Sequence, residues 1–214
     1  MRTDPIASAS PRLVAAMLSA LAALNAPPAL AQTAEMPAVK AGDAWVYTQT
    51  TDSGKGPKEA TWSRKVVAVG ADGAIEVQIG ERVHRLDASG NYQDTRGAEY
   101  NRTTYRFPMQ VGSEWTYVAK FGAQVLMEQR GRYQVVAWEP LTVPAGTFDC
   151  FRVQGKAEAA YKASYQQAIE ETYWYCPKVN AIGKLQRETS TFSRDSPSSR
   201  ETVEQVLIRY TPKG

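Results

Sequence analysis

The side chains that perform most enzymatic chemistry are scarce in this chain. His84, within RVHRLD, is its one histidine, and Cys150 and Cys176 are its two cysteines. A Ser–His–Asp or Cys–His arrangement would have to recruit His84 as its base. No G-x-S-x-G elbow presents a serine to it, and a lone histidine in an extended run reads as a surface or half-buried polar residue. One histidine and two cysteines that pair with each other leave zinc without its usual ligands, and no Asp/Asn/Gly calcium loop is present. Paired carboxylates could cleave a glycoside, but Glu170 and Glu171 are adjacent, so in a strand they face opposite sides. Asp149 and Glu128 stand alone and read as solvated. The glycines sit singly at turns, and GKGPK lacks the spacing and the following Ser or Thr of a phosphate loop. These observations lead us to expect no enzyme, no metal and no cofactor, with a hydrolase as the third-ranked reading.

What remains is a scaffold, and its location is written at the N-terminus. Residues 1–12 carry two arginines, the run LVAAMLSALAALNA follows, and PPALA ends at Ala31. A basic start, a short apolar stretch and an A-x-A-like end are the parts of a secretory signal peptide. The apolar run is shorter than the roughly 20 residues that span a bilayer. We expect cleavage near Ala31, a periplasmic or secreted protein over 32–214, and no transmembrane segment in it. The net charge is only +3, and no basic cluster interleaves with aromatics, so nucleic acid is not an expected partner.

Along 32–214 the dominant period is two. AIEVQIG places Ile75, Val77 and Ile79 on one face, and ETVEQVLIRY alternates in the same way. Such alternation in Val, Ile, Thr and Tyr marks antiparallel strands. DSGKGP, ADG, ASGN, VPAGT and SRDSPSS punctuate them as turns. A repeat is also visible. AGDAWVYTQT (41–50) and VGSEWTYVAK (111–120) share G-x-x-W-x-Y at an offset of 70, and VVAV (66–69) and VVAW (135–138) follow at an offset of 69. The expected fold is therefore mainly β with little helix: one domain, 32–214, whose curved antiparallel sheet is half-barrel or open-barrel-like. It is built of two related meanders, about 41–107 and 111–210.

TYWYCP (172–177) belongs to that framework. If Cys150 and Cys176 face each other across a hairpin turning near Ala163, then Phe151 meets Tyr175, Val153 meets Tyr173 and Ala157 meets Ile169, an apolar face. Arg152 then meets Trp174, in reach of a cation–π contact, and Gln154 meets Thr172. A slip of one residue would set apolar against polar along the ladder. That register favours strand over the helix that EAAYKASYQQAIEE (158–171) otherwise invites. Two cysteines in an exported chain usually pair, and facing residues lie within disulfide reach, so we expect a structural Cys150–Cys176 bond. The ring pairs Trp45/Tyr47 and Trp115/Tyr117 either pack a β-core or line a groove for an apolar ligand.

VGSEWTY (111–117), VPAGTFDCFRV (143–153) and YWYCPKVNAIGK (173–184), in that order, resemble a broad group of exported bacterial β-sheet proteins classed mostly as domains of unknown function. There a G-x-x-W-x-Y strand, a VPAGTF turn and a YWY-x-P-x-V-G-type strand end recur. The resemblance runs from about Ala41 to Glu188, with Asn180 where the pattern has glycine. It implies structural roles for Gly112, Trp115, Tyr117, Pro144, Gly146, Phe148, Tyr173, Trp174, Tyr175 and Pro177, and no catalytic residue. The group is similar to lipoprotein-carrier (LolA/LolB-like) half-barrels, in which a curved sheet cups an apolar ligand. The leading expectation is non-catalytic binding in the cell envelope, of a lipid or other apolar or amphipathic ligand or of an envelope protein. Trp45, Tyr47, Trp115 and Tyr117 are the candidate contacts. The alternative is a structural or assembly partner acting through a sheet edge.

Overall fold

The computed structural model describes residues 32–121, 127–161, 165–193 and 196–214. The expected leader, 1–31, and the hairpin turn around Ala163 lie outside them. The elements are β1 (Thr33–Ala34), β2 (Ala44–Asp52), β3 (Lys58–Val69), β4 (Ile75–Ile79), β5 (Arg82–Leu86), β6 (Met109–Gln110), β7 (Glu114–Phe121), β8 (Met127–Val143), β9 (Gly146–Tyr161), β10 (Tyr165–Cys176), β11 (Ala181–Ser193) and β12 (Ser196–Thr211). Among the described residues, helix is limited to 3-10 turns such as Ala98–Tyr100 and Pro177–Val179.

Ten strands form one open sheet in the order β5-β4-β3-β2-β12-β11-β10-β9-β8-β7, while β1 and β6 pair separately. Every ladder is antiparallel. The order is two meanders, β2–β5 and β7–β12, joined where β12 pairs with β2. Register shifts at Val66/Ala68, Val135/Ala137, Trp174/Tyr175, Thr191/Phe192 and Leu207/Arg209 interrupt the long ladders. Each such bulge bends its strand and raises the local twist, which is how a sheet this wide curves.

The sequence repeat is a structural one. Gly42 and Gly112 both take left-handed φ, 104° and 91°, which only glycine adopts without strain. Each then donates its N–H to the matching valine across the sheet, Gly42 to Val66 O and Gly112 to Val135 O. Val66 and Val135 donate back to Asp43 O and Ser113 O, and a bulge follows each of them. The repeated tryptophans also do the same job. Trp45 Nε1 donates to Val179 O at 2.7 Å and Trp115 Nε1 to Thr103 O at 3.1 Å. Each ring thus ties its strand to the chain that passes over it.

The β9–β10 ladder has the expected register: Phe151 pairs with Tyr175, Arg152 with Trp174, Val153 with Tyr173, Gln154 with Thr172 and Ala157 with Ile169. Cys150 and Cys176 are joined, with Cα atoms 4.2 Å apart. Two details differ from expectation. Arg152 and Trp174 are linked through a third residue: Arg152 Nε lies 3.0 Å from Glu139 Oε1, and Trp174 Nε1 donates to the same oxygen at 2.8 Å. A carboxylate offers both donors more than the indole face offers the cation. The apolar face is also interrupted, because Gly155 pairs with Glu171 between the Val153–Tyr173 and Ala157–Ile169 pairs. Asn180 takes φ 49° and ends the Pro177–Val179 turn, its N–H donating to Pro177 O. Asparagine tolerates that left-handed conformation better than other side chains do, so it serves where the pattern has glycine.

Two ring-rich clusters form the core. One gathers Trp115, Tyr117, Tyr133, Phe151, Val153, Tyr173 and Tyr175; the other gathers Trp45, Tyr47, Val66, Val77, Leu207 and both cysteines. Two strand glycines seat rings in the first. A Cβ on Gly131 would lie 2.3 Å from the Tyr117 ring, and one on Gly155 would lie 2.3 Å from the Tyr133 ring. These are cross-strand partners, Tyr117 with Gly131 and Tyr133 with Gly155. The large ring covers the backbone that the small residue leaves bare, as in aromatic rescue of glycine.

Candidate functional site

β5 and β7 occupy opposite margins of the sheet, so the chain between them must cross a face. Segment 87–108 makes that crossing as a strap. Asn91 folds it: its Oδ1 accepts the N–H groups of Thr104 and Tyr105, both at 2.8 Å, and its Nδ2 donates to Tyr105 O. Tyr105 and Phe107 then pack on Tyr175, and Tyr173 OH donates to Thr104 O at 2.6 Å.

Arg102 supplies the polar anchor. Its guanidinium donates to Tyr133 OH on β8 and to Glu171 Oε1 on β10. Tyr133 OH also donates to that oxygen, while Arg187 Nε on β11 donates to Glu171 Oε2 at 2.9 Å. Only 2% of the Glu171 side chain is exposed, against 21% for Arg102 and 34% for Arg187. Burial pushes the carboxyl up, but the charges of Arg102 and Arg187 and the hydrogen bonds outweigh it and hold the group below the usual carboxylate range. Burial, then the charge of Glu171, raises the Tyr133 phenol, so it stays protonated and donates. Both carboxylate oxygens are thus fully engaged, which is what a buried charge requires.

A cavity of about 500 Å³ lies between the strap and the sheet. Tyr47, Trp62, Tyr92, Tyr105, Phe121, Ile182 and Leu185 make its walls apolar and aromatic, and Arg64, Arg102, Arg187, Glu171, His84 and Gln205 make it polar in places. A wider depression of about 620 Å³ over β2 and β9–β12 is walled largely by polar and charged groups such as Thr50, Gln186, Thr202 and Glu204. It lacks aromatic walls. The strap cavity instead combines aromatic walls with charged and polar side chains, so it offers both apolar surface and directional contacts to a small molecule.

The four rings singled out in the sequence fall in different places. All are buried, with Trp45 and Tyr47 in one core cluster and Trp115 and Tyr117 in the other. Tyr47 forms part of the cavity wall, stacked on Trp62 with ring centroids 4.7 Å apart. Trp45 borders a small hollow of about 20 Å³, and Tyr117 borders an open groove near Arg130 and Ile169. Trp115 packs against Tyr133 at 5.3 Å. His84 does face the cavity, edge-on to Tyr92 at 5.5 Å. Arg64, Arg102 and Arg187 went unnoticed in the sequence, and Glu171 was weighed only with Glu170 as a carboxylate pair. Glu171 carried a signal all the same: it shares strand parity with Tyr173 and Tyr175, so an apolar face was due to carry a carboxylate. Arg102 had none, because its partners lie far away along the chain.

Among the described residues, no helix is long and apolar enough to cross a membrane, and no group of three His, Cys, Asp or Glu side chains is placed to hold a metal ion. No protein-family model matches the chain, and no curated protein matches it in sequence. Solved structures do resemble it in outline. A Bacteroides fragilis protein described as exported, with a YmcC-like fold, is 13% identical with a TM-score of 0.42, over 84% of this chain and 100% of its own. A Parabacteroides distasonis protein described as a lipoprotein gives 13% and 0.46 over the same shares. The hypothetical lipoprotein YmcC of Escherichia coli gives 8% and 0.43, over 78% of this chain and 85% of its own. At that level of similarity no ligand or activity carries across to this chain.

Proposed function

We propose that this is an exported envelope protein that binds an apolar or amphipathic ligand, without catalysis, in the cavity beneath the strap. The observation that carries the reading is the cavity itself: about 500 Å³, inside the roughly 300–1,000 Å³ range of small-molecule sites, with aromatic rings set beside charged and polar side chains. The apolar N-terminal run and the cysteine pair support an oxidising compartment outside the cytoplasm. The resemblance to carriers that cup apolar ligands points the same way. Native mass spectrometry of protein purified from its host under non-denaturing conditions tests the proposal. A co-purifying lipid-sized adduct, displaced by a fluorescent fatty-acid analogue, is expected. Protein that carries no adduct and binds no such probe would overturn the reading.

A second reading rests on the sheet margins. β7 ends the sheet at one margin, and it and its flank expose Val118 and Val111, each about half exposed, whereas the far edge of β5 is already bridged by Tyr92 and Gln93 of the strap. Unpaired edges with apolar side chains are templates for an incoming strand. Cross-linking that traps a partner specifically on β7 would favour it.

A further inference from the structure

Arg64 and Trp62 stand two residues apart on β3, so they share a face, and both line the strap cavity. Arg64 Nε and Trp62 Nε1 are both buried, and neither has a hydrogen-bond partner. The Arg64 guanidinium lies 4.5 Å from the centre of the Trp45 ring. The carboxylates nearby are already engaged: Glu171 by Arg102, Arg187 and Tyr133, and Asp94 by Arg96. The repeat sharpens the point. Arg64 opposes Trp45 in the first meander as Tyr133 opposes Trp115 in the second. The polar tip of Tyr133 meets a carboxylate, whereas that of Arg64 meets none. Two buried donors on one face without an acceptor are costly in a folded protein unless something supplies one.

Building on the binding proposal, we infer that the ligand is an amphiphile with an anionic oxygen head group, a carboxylate or phosphate. Its head is received by Arg64 and Trp62, and its apolar portion lies along Tyr47, Tyr105, Ile182 and Leu185. A guanidinium satisfies such oxygens in a planar, directional way that an uncharged hydroxyl cannot match.

The test is calorimetric titration of the purified full chain with decanoate, decyl phosphate, decanol and, as a control for the head alone, inorganic phosphate and acetate. Decanoate or decyl phosphate is expected to bind about tenfold or more tightly than decanol. Arg64→Gln should weaken the charged probes about tenfold more than decanol and so remove that preference, and Arg64→Lys should restore part of it. Whichever of the two charged probes binds more tightly identifies the head group. Equal affinity for the charged and uncharged chains would overturn the inference while leaving the binding proposal standing. Binding of inorganic phosphate or acetate as tightly as the decyl compounds would also overturn it, because the chain would then contribute nothing. Failure of every probe would overturn both. If Arg64→Gln fails to fold by circular dichroism, the contrast between decanoate and decanol on the unaltered protein still decides.

Discussion

Glu171→Gln isolates the latch between strap and sheet. The substitution keeps the side chain's volume but removes the charge that faces Arg102 and Arg187. Removing one partner of a buried ion pair costs roughly 3–5 kcal/mol, because the other charge is left uncompensated. Arg187 is a third exposed, so water screens its share, and about 2–4 kcal/mol is the expected loss. For a domain of this size a loss of about 3 kcal/mol lowers Tm by roughly 6–12 °C. Urea denaturation followed by circular dichroism at several pH values reads it directly. The sign follows from the depressed carboxyl of Glu171. Its stabilisation is fully present above the unfolded value of about 4.3 and disappears as pH falls through the lower folded value. The gap between wild type and variant should therefore stay constant from neutral pH to about 5 and close below about 4. Hydrogen exchange should locate the weakening in segment 87–108. A variant within about 0.5 kcal/mol of wild type at pH 7 would refute the reasoning, since that is the scatter of ordinary surface substitutions. So would a gap that persists unchanged at pH 3.

Two further outcomes follow from the framework. Replacing both Cys150 and Cys176 by alanine opens a loop with a sequence separation of 26. The chain-entropy relation assigns that closure about 3.5 kcal/mol, and thermal melts should show a stability loss of that order, with unaltered Tm as the disproof. Gly155→Ala places a methyl group 2.3 Å from the Tyr133 ring. Overpacking there should cost about 1–3 kcal/mol and loosen the Tyr133–Glu171 contact, whereas a variant as stable as wild type would mean the ring has room to move.

The legible parts of this fold are the ones set by short-range pattern. Period-two alternation identified strands such as β4 and β12, and G-x-x-W-x-Y marked the start of each meander. The β9–β10 register followed from two cysteines and the rings beside them, since one residue of slip reverses every side chain. The exception in that ladder, Glu171, was readable by parity but not by purpose. Its neighbours in sequence are Glu170, which pairs with Lys156 on the exposed face, and Thr172; nothing local distinguishes a solvated carboxylate from a buried one.

Strand identity, the repeat, the disulfide partner and the hairpin register thus rest on the chain's own pattern, because alternation and pairing are governed by residues a few positions apart or directly opposite. The strap's path and the cavity beneath it do not. They exist because β5 and β7 end at opposite margins of one ten-stranded sheet. That order brings Arg102 from one loop onto Glu171 and Tyr133 of distant strands and sets Arg64 in the wall of the cavity over Trp45. Contacts of this kind depend on the order in which strands assemble, a long-range choice that no local spacing encodes.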